Sequence, residues 1–204
     1  MPTRPYEQRQ RAEAAERTRR RILETVVEHL RASPSQPVSV EEIAERAEVA
    51  RSTVYAIFGS RAGLFDAVAA HVLEHDAYDR LLEAKFETDA REHLRAGFQS
   101  GVEMLARERD VVRALFSMAQ LDEDAVGAVV RRREQERAKG MRRLVKRLRE
   151  QNLLAPGVSP ARAEHTLWVL TSFESFDLLY TGRGLSADAA ARLLTEAAER
   201  ALLK

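Results

Sequence analysis

Arg51, Ser52, Thr53 and Tyr55 bring one guanidinium and three hydroxyls into a run of five residues. Val54, Ile57 and Phe58 recur among them at spacings of three and four, which on a helix gathers them on one buried face. A helix held by that face, with hydrogen-bonding side chains on the other, is suited to reading an external surface. Histidine offers the other candidate chemistry, at His29, His71, His75, His93 and His165. His71 and His75 are four apart with Glu74 between them, so two imidazoles share a helical turn, but no third ligand follows at a suggestive spacing. No catalytic residue, metal site or cofactor is expected.

Two short helical patterns, separated by about three residues, position the polar run, and Val38 to Phe65 outlines a helix-turn-helix. Ser39 precedes the first pattern and Glu42 stands three residues on. That is capping-box spacing: the Ser39 hydroxyl accepts the Glu42 N–H and the Glu42 carboxylate accepts the Ser39 N–H. Val38 and Ile43 are placed to staple the helix entry. Ile43, Ala44 and Ala47 form its apolar face.

The chain has 204 residues, 45% hydrophobic and 32% charged, enough for a sizeable core. Its 33 basic and 32 acidic residues exclude a bulk nucleic-acid coat and confine any DNA binding to a local patch. Over residues 1–61, 11 Arg and 9 Glu leave a net +2, so specificity there leans on placement. The absence of Cys removes disulfides, zinc fingers and thiol chemistry, and fits a reducing compartment. No apolar run approaches the length of a membrane span and the N-terminus has no apolar signal segment. A cytoplasmic protein without membrane contact is expected.

In chain order, Arg4, Arg9 and Arg11 alternate with Glu7, Glu13 and Glu16, and Pro2 and Pro5 keep the start irregular. This is either a solvated arm or a basic arm on DNA. A first helix is expected from Arg17 to Ala32, with Ile22, Leu23, Val26, Val27 and Leu30 on its stripe. Arg17, Arg19, Arg20 and Arg21 crowd its start, against the helix dipole. His29 reads as a boundary residue, and Ser33 to Pro37, with Ser35 between them, make a loop. Leu64, Phe65, Val68, Val72 and His75 mark a fourth helix. Asp89 caps a helix over Ala90–Arg107, where Gly97 and Gly101 each cost about 1 kcal/mol against Ala. Two such residues a turn apart imply close approach by another helix or by a ligand. Further helices are expected over Asp110–Leu121, over Asp122–Gln151, and from Ser159–Pro160 to Tyr180. Ser186 caps the last one. Arg133 and Arg137 interrupt the stripe of the third-last helix, either solvated or turned into a cavity to pair an acidic ligand group.

Arg17 to Phe65 resembles the N-terminal DNA-binding domain of TetR-family transcriptional regulators. The resemblance lies in the first helix and loop, in VSVEEIAERAEV, in Ser52-Thr53-Val54-Tyr55 with Phe58, and in Ser60-Arg61-Ala62-Gly63-Leu64. It implies that Arg51 and Ser52 meet base edges, Arg51 by a bidentate contact to guanine O6 and N7 worth about 1–3 kcal/mol of discrimination. It also implies that Ser39, Thr53, Tyr55 and Arg61 hold phosphates. Glu48 stands where the family often has Gly, which predicts a turn less sharply left-handed than usual. Ala50 stands where Ser often caps the recognition helix, a loss of about 1 kcal/mol. Ala56 and Ile57 offer DNA no hydrogen bonds, although Ala56 is placed to meet a thymine methyl.

The resemblance further implies an all-α fold of about nine helices: a three-helix head over residues 1–62, then a helical ligand-binding and dimerisation domain over residues 63–204. The expected function is that of a DNA-binding regulator, not an enzyme. A homodimer through the two C-terminal helices would repress from a near-palindromic operator in double-stranded DNA until a small-molecule effector releases it, with the fourth helix as lever. A pocket among the helices from Ala90 to Tyr180 is expected to draw on Phe98, Met104, Phe116, Met118, Trp168 and Phe176, a lining suited to a largely apolar ligand. A helical-bundle enzyme and a protein-only adaptor are the alternatives, and salt-dependent binding to palindromic DNA separates them.

Overall fold

Helical periodicity becomes eleven α-helices in a computed structural model that describes residues 4–204 with residues 35, 37, 74 and 75 excepted, and side chains from residue 8. Pro2, Ser35, Pro37, Glu74 and His75 lie outside the described residues, as do the side chains of Arg4, Pro5 and Glu7. The helices are α1 (Arg4–Ala32), α2 (Val40–Arg46), α3 (Arg51–Phe58), α4 (Arg61–Val72), α5 (Asp76–Glu83) and α6 (Ala90–Arg107). They continue as α7 (Arg109–Ala119), α8 (Ala128–Glu150), α9 (Pro160–Leu170), α10 (Phe173–Tyr180) and α11 (Ala187–Leu202). The described residues form no strand, only an isolated antiparallel bridge between Leu154 and Leu203.

Four expectations need correction. First, α1 begins at Arg4, not Arg17. Pro5 falls in its first turn, where a missing N–H costs nothing. Arg17 to Arg21 are therefore inside the helix, and the charge–dipole conflict expected of them does not arise. Second, the expected 122–151 helix opens with a π-helical turn, Glu123–Gly127, because the Asp122 carboxylate accepts the Ala125 N–H at 3.1 Å before α8 begins. Third, the expected 159–180 helix is broken. The Thr171 hydroxyl donates back to the Leu167 carbonyl at 2.7 Å, and the Ser172 hydroxyl accepts the Ser175 N–H at 3.1 Å, so one helix ends and a capped one starts. Fourth, α5 and the 3-10 turn Ala84–Phe86 fill a stretch that the apolar pattern left unread.

The helices sort into two compact units, one running to Val72 and taking in Arg113–Val130, the other made of Leu73–Val112 and Arg131–Lys204. In the first, Ile22, Leu23, Val26, Leu30, Ile43, Val54, Leu64, Phe65 and Val68 are buried. This unit reaches past residue 62 because Leu64, Phe65 and Val68 put α4 against α1 and α3. In the second, Leu94, Phe98, Leu148, Leu167, Phe176, Leu194 and Leu202 share one core. Each such side chain contributes about 1.5–3 kcal/mol on leaving water.

Two features of the second unit depart from their sequence reading. The Arg137 guanidinium is engaged by neighbouring protein groups. It lies 3.8 Å from the Trp168 ring centroid, donates to the Trp168 carbonyl at 2.9 Å and the Thr171 hydroxyl at 2.8 Å, and pairs with Glu134 at 2.5 Å. It clamps α8 to α9. Gly97 and Gly101 do not mark a close helix approach: a Cβ on either would meet nothing within 4 Å.

Candidate nucleic-acid interface

Ser39 starts the candidate reading surface of the head. Its hydroxyl accepts the Glu42 N–H at 3.5 Å, with Val38 and Ile43 both buried around the entry. The return half of the capping box is replaced. The Glu42 carboxylate lies 3.4 Å from His29 Nδ1 and 3.8 Å from Arg46 Nη1, and Arg46 donates to that Nδ1 at 3.2 Å. His29 is fully buried rather than at a boundary, with its Nε2 facing no hydrogen-bond partner. Its position on the Val26–Leu30 stripe was the available signal.

The turn between α2 and α3 is left-handed without glycine. Glu48 has φ +51°, overturning the expectation of a softer turn. The reason is packing: the Val49 N–H must reach back to the Ala44 carbonyl at 2.9 Å to close α2. Ala50 then enters α3 with no side-chain cap, as its lack of a hydroxyl dictates. Gly59 closes α3 at φ +74°. Gly63 lets α4 start close by, since a Cβ there would sit 2.1 Å from the Phe58 carbonyl oxygen. The Ser60 hydroxyl accepts the Gly63 N–H at 3.0 Å and caps α4.

On α3, Val54 is buried, Arg51, Ser52 and Ala56 are exposed, and Thr53 and Tyr55 are half-buried. The helix thus presents the two expected base readers and flanks them with two hydroxyls. Arg51 is held in place across the turn. Its Nη1 lies 2.5 Å from Glu41 Oε1, and its guanidinium sits 5.5 Å from the Tyr55 ring centroid. A hydrogen bond with Tyr55, and then the charge of Glu41, hold Arg51 above the usual arginine range. Glu41 was missed in the sequence because no local spacing links it to Arg51.

Arg61 is not a freely placed cation. Its Nε donates to Asp122 Oδ2 at 2.8 Å and its Nη1 to the Val38 carbonyl at 2.6 Å, with the Phe65 ring centroid 5.0 Å away. It ties the start of α4 to the entry of α2 and to the π-turn. Burial opposes ionisation of Asp122, but hydrogen bonds from Arg61, Ala125 and Val126 hold its carboxyl below the usual range.

The six pocket candidates are divided between the two units. Phe98 and Phe176 belong to the second unit's core, Met104 is half-buried on α6, and Trp168 is exposed under Arg137. Phe116 and Met118 lie in the first unit, half-buried and buried respectively. Among the described residues no three His, Asp or Glu could hold a metal ion, and no helix is long and apolar enough to cross a membrane.

Residues 22–68 match the family model of bacterial regulatory proteins, tetR family. Over that stretch the head is similar to the TetR family. The rest of the chain shares the fold of solved TetR-type regulators. NalD, the secondary repressor of the MexAB-OprM multidrug efflux pump in Pseudomonas aeruginosa, is 24% identical with a TM-score of 0.74, over 94% of this chain and 98% of that one. A TetR family transcription regulator from Marinobacter aquaeolei VT8 is 20% identical with a TM-score of 0.67, over 96% and 99%. SmeT in a complex with triclosan is 16% identical with a TM-score of 0.70, over 92% of each chain. No curated protein matches the chain.

Proposed function

We propose that the chain is a dimeric transcriptional repressor that binds a near-palindromic operator and leaves it when a small molecule binds. One observation carries the reading: a TetR-type recognition helix, backed by buried Val54, offers Arg51 and Ser52 outward. Arg51 and Ser52 meet base edges, and Ser39, Thr53 and Tyr55 meet phosphates. Arg61 positions the helices that carry them. One eight-residue helix contacts too few base pairs for a useful operator, so two heads at fixed spacing are needed.

Exposed apolar side chains on the last three helices support the dimer. Val169, Leu178 and Leu193 are 58%, 69% and 46% exposed in the single chain, apolar area on the helices that would meet a second copy. The SmeT complex holds triclosan. A largely apolar effector of that kind suits space beside α6, where Met104 is half-buried and Gly97 and Gly101 face open room. A ligand that prefers the non-operator spacing of the heads must weaken DNA binding by linkage.

The test is fluorescence anisotropy on duplex DNA across a salt series. Binding should weaken steeply with salt, and Arg51→Ala should cost about 1–3 kcal/mol on the preferred duplex with little effect on others. Salt-independent binding, or unchanged preference in Arg51→Ala, would overturn the reading.

A further inference from the structure

We propose that Glu41 is a specificity-determining residue that restrains Arg51, so that the recognition helix gives its guanidinium to guanine in preference to phosphate. The inference rests on the DNA-binding reading above. Glu41 is the second residue of α2 and Arg51 the first of α3, so the pair spans the turn of the helix-turn-helix on its exposed side. The 2.5 Å contact between Nη1 and Oε1 and the Tyr55 ring beneath fix the guanidinium from two sides. No packing demands this pairing, since both side chains are more than half exposed.

A carboxylate on a reading face is electrostatically unfavourable beside DNA, where phosphates line every groove. Its effect on Arg51 is selective. An unrestrained arginine on a long stem reaches the nearest phosphate, and phosphates are the same at every sequence. To do so here it must leave Glu41 and bring that carboxylate against the backbone. Guanine O6 and N7 offer two acceptors in one plane, which matches the guanidinium fork and offsets the loss. Glu41 therefore weakens all binding somewhat and wrong-site binding more. The thin reading surface gives this weight, because Ala56 and Ile57 supply no hydrogen bonds that could discriminate in its place.

The test is a double-mutant cycle on the full chain: wild type, Glu41→Gln, Arg51→Ala and both together. Each binds two duplexes, one that wild type enriches from a random pool and one scrambled from the same bases. Glu41→Gln should tighten the scrambled duplex about two- to fivefold, and more than the enriched one, so the selectivity ratio falls. In the Arg51→Ala background it should tighten both alike and leave the ratio unchanged. Glu41→Asp, which keeps the charge but shortens the reach, should lose selectivity with a smaller gain on the scrambled duplex. A ratio unmoved by Glu41→Gln, or one that falls equally without Arg51, overturns the proposal. Failure of wild type to enrich any sequence would instead overturn the function reading.

Discussion

Glu48 sits at φ +51° with a side chain that disfavours it. Left-handed backbone costs an L-residue about 1–2 kcal/mol, part of which glycine returns through its freer unfolded chain. Glu48→Gly should therefore raise stability by about 0.5–1 kcal/mol, seen as a higher urea midpoint at unchanged slope. The sequence identified this position but misjudged its backbone, because turn geometry follows from closing α2 and not from the residue in the turn. His93 is a second case. Burial, then the charges of Arg147 and Arg143, lower it from 6.5 to about 4, and the Arg147 guanidinium lies 2.8 Å from its Nδ1. Between those pH values the unfolded chain takes a proton that the folded chain refuses, so stability falls as pH drops from 6.5 toward 4. His93→Gln should flatten that fall in thermal melts recorded across the window, while wild type retains it.

Helices with their own signals were legible. Ala90–Arg107 and the Ser39, Asp89, Ser159 and Ser186 caps stand where periodicity and capping residues placed them. Breaks set by long-range partners were not. Asp122 caps the π-turn while pairing with Arg61, far away in sequence. Thr171 ends α9 with its hydroxyl shared by Leu167 and Arg137. In the sequence Arg61 read as a phosphate contact and Arg137 as solvated or turned into a cavity, and each is bound by an element it cannot see locally. The Arg61–Asp122 pair is part-exposed, so its worth is modest. Asp122→Asn keeps an acceptor for Ala125 but loses the charge, and should cost about 1 kcal/mol at pH 7. Because the Asp122 carboxyl is held below its usual range, that difference is present at neutral pH. It should shrink as acid protonates the wild-type side chain, which urea titrations stepped downward from pH 7 would reveal.

At the scale of the whole molecule, the fold class was readable because helical period persists from end to end, whereas residue type alone does not sort core from pocket. Aromatic and Met residues look alike in a core and in a cavity lining, and Phe98 and Phe176 sit in a core. The proposed dimer draws on exposed side chains of α9, α10 and α11. Leu178→Glu should weaken it by about 3–5 kcal/mol, the cost of an unpaired buried charge, giving monomers by sedimentation and loss of DNA affinity while the far-ultraviolet helical signal stays unchanged. The central claim is two recognition helices reading one site. Selection of bound duplexes from a random pool by the full chain tests it most directly. Two inverted half-sites at a fixed spacing near one helical turn should emerge, each containing a guanine at a constant position. Recovery of a single unrepeated motif, or of no motif, would contradict it.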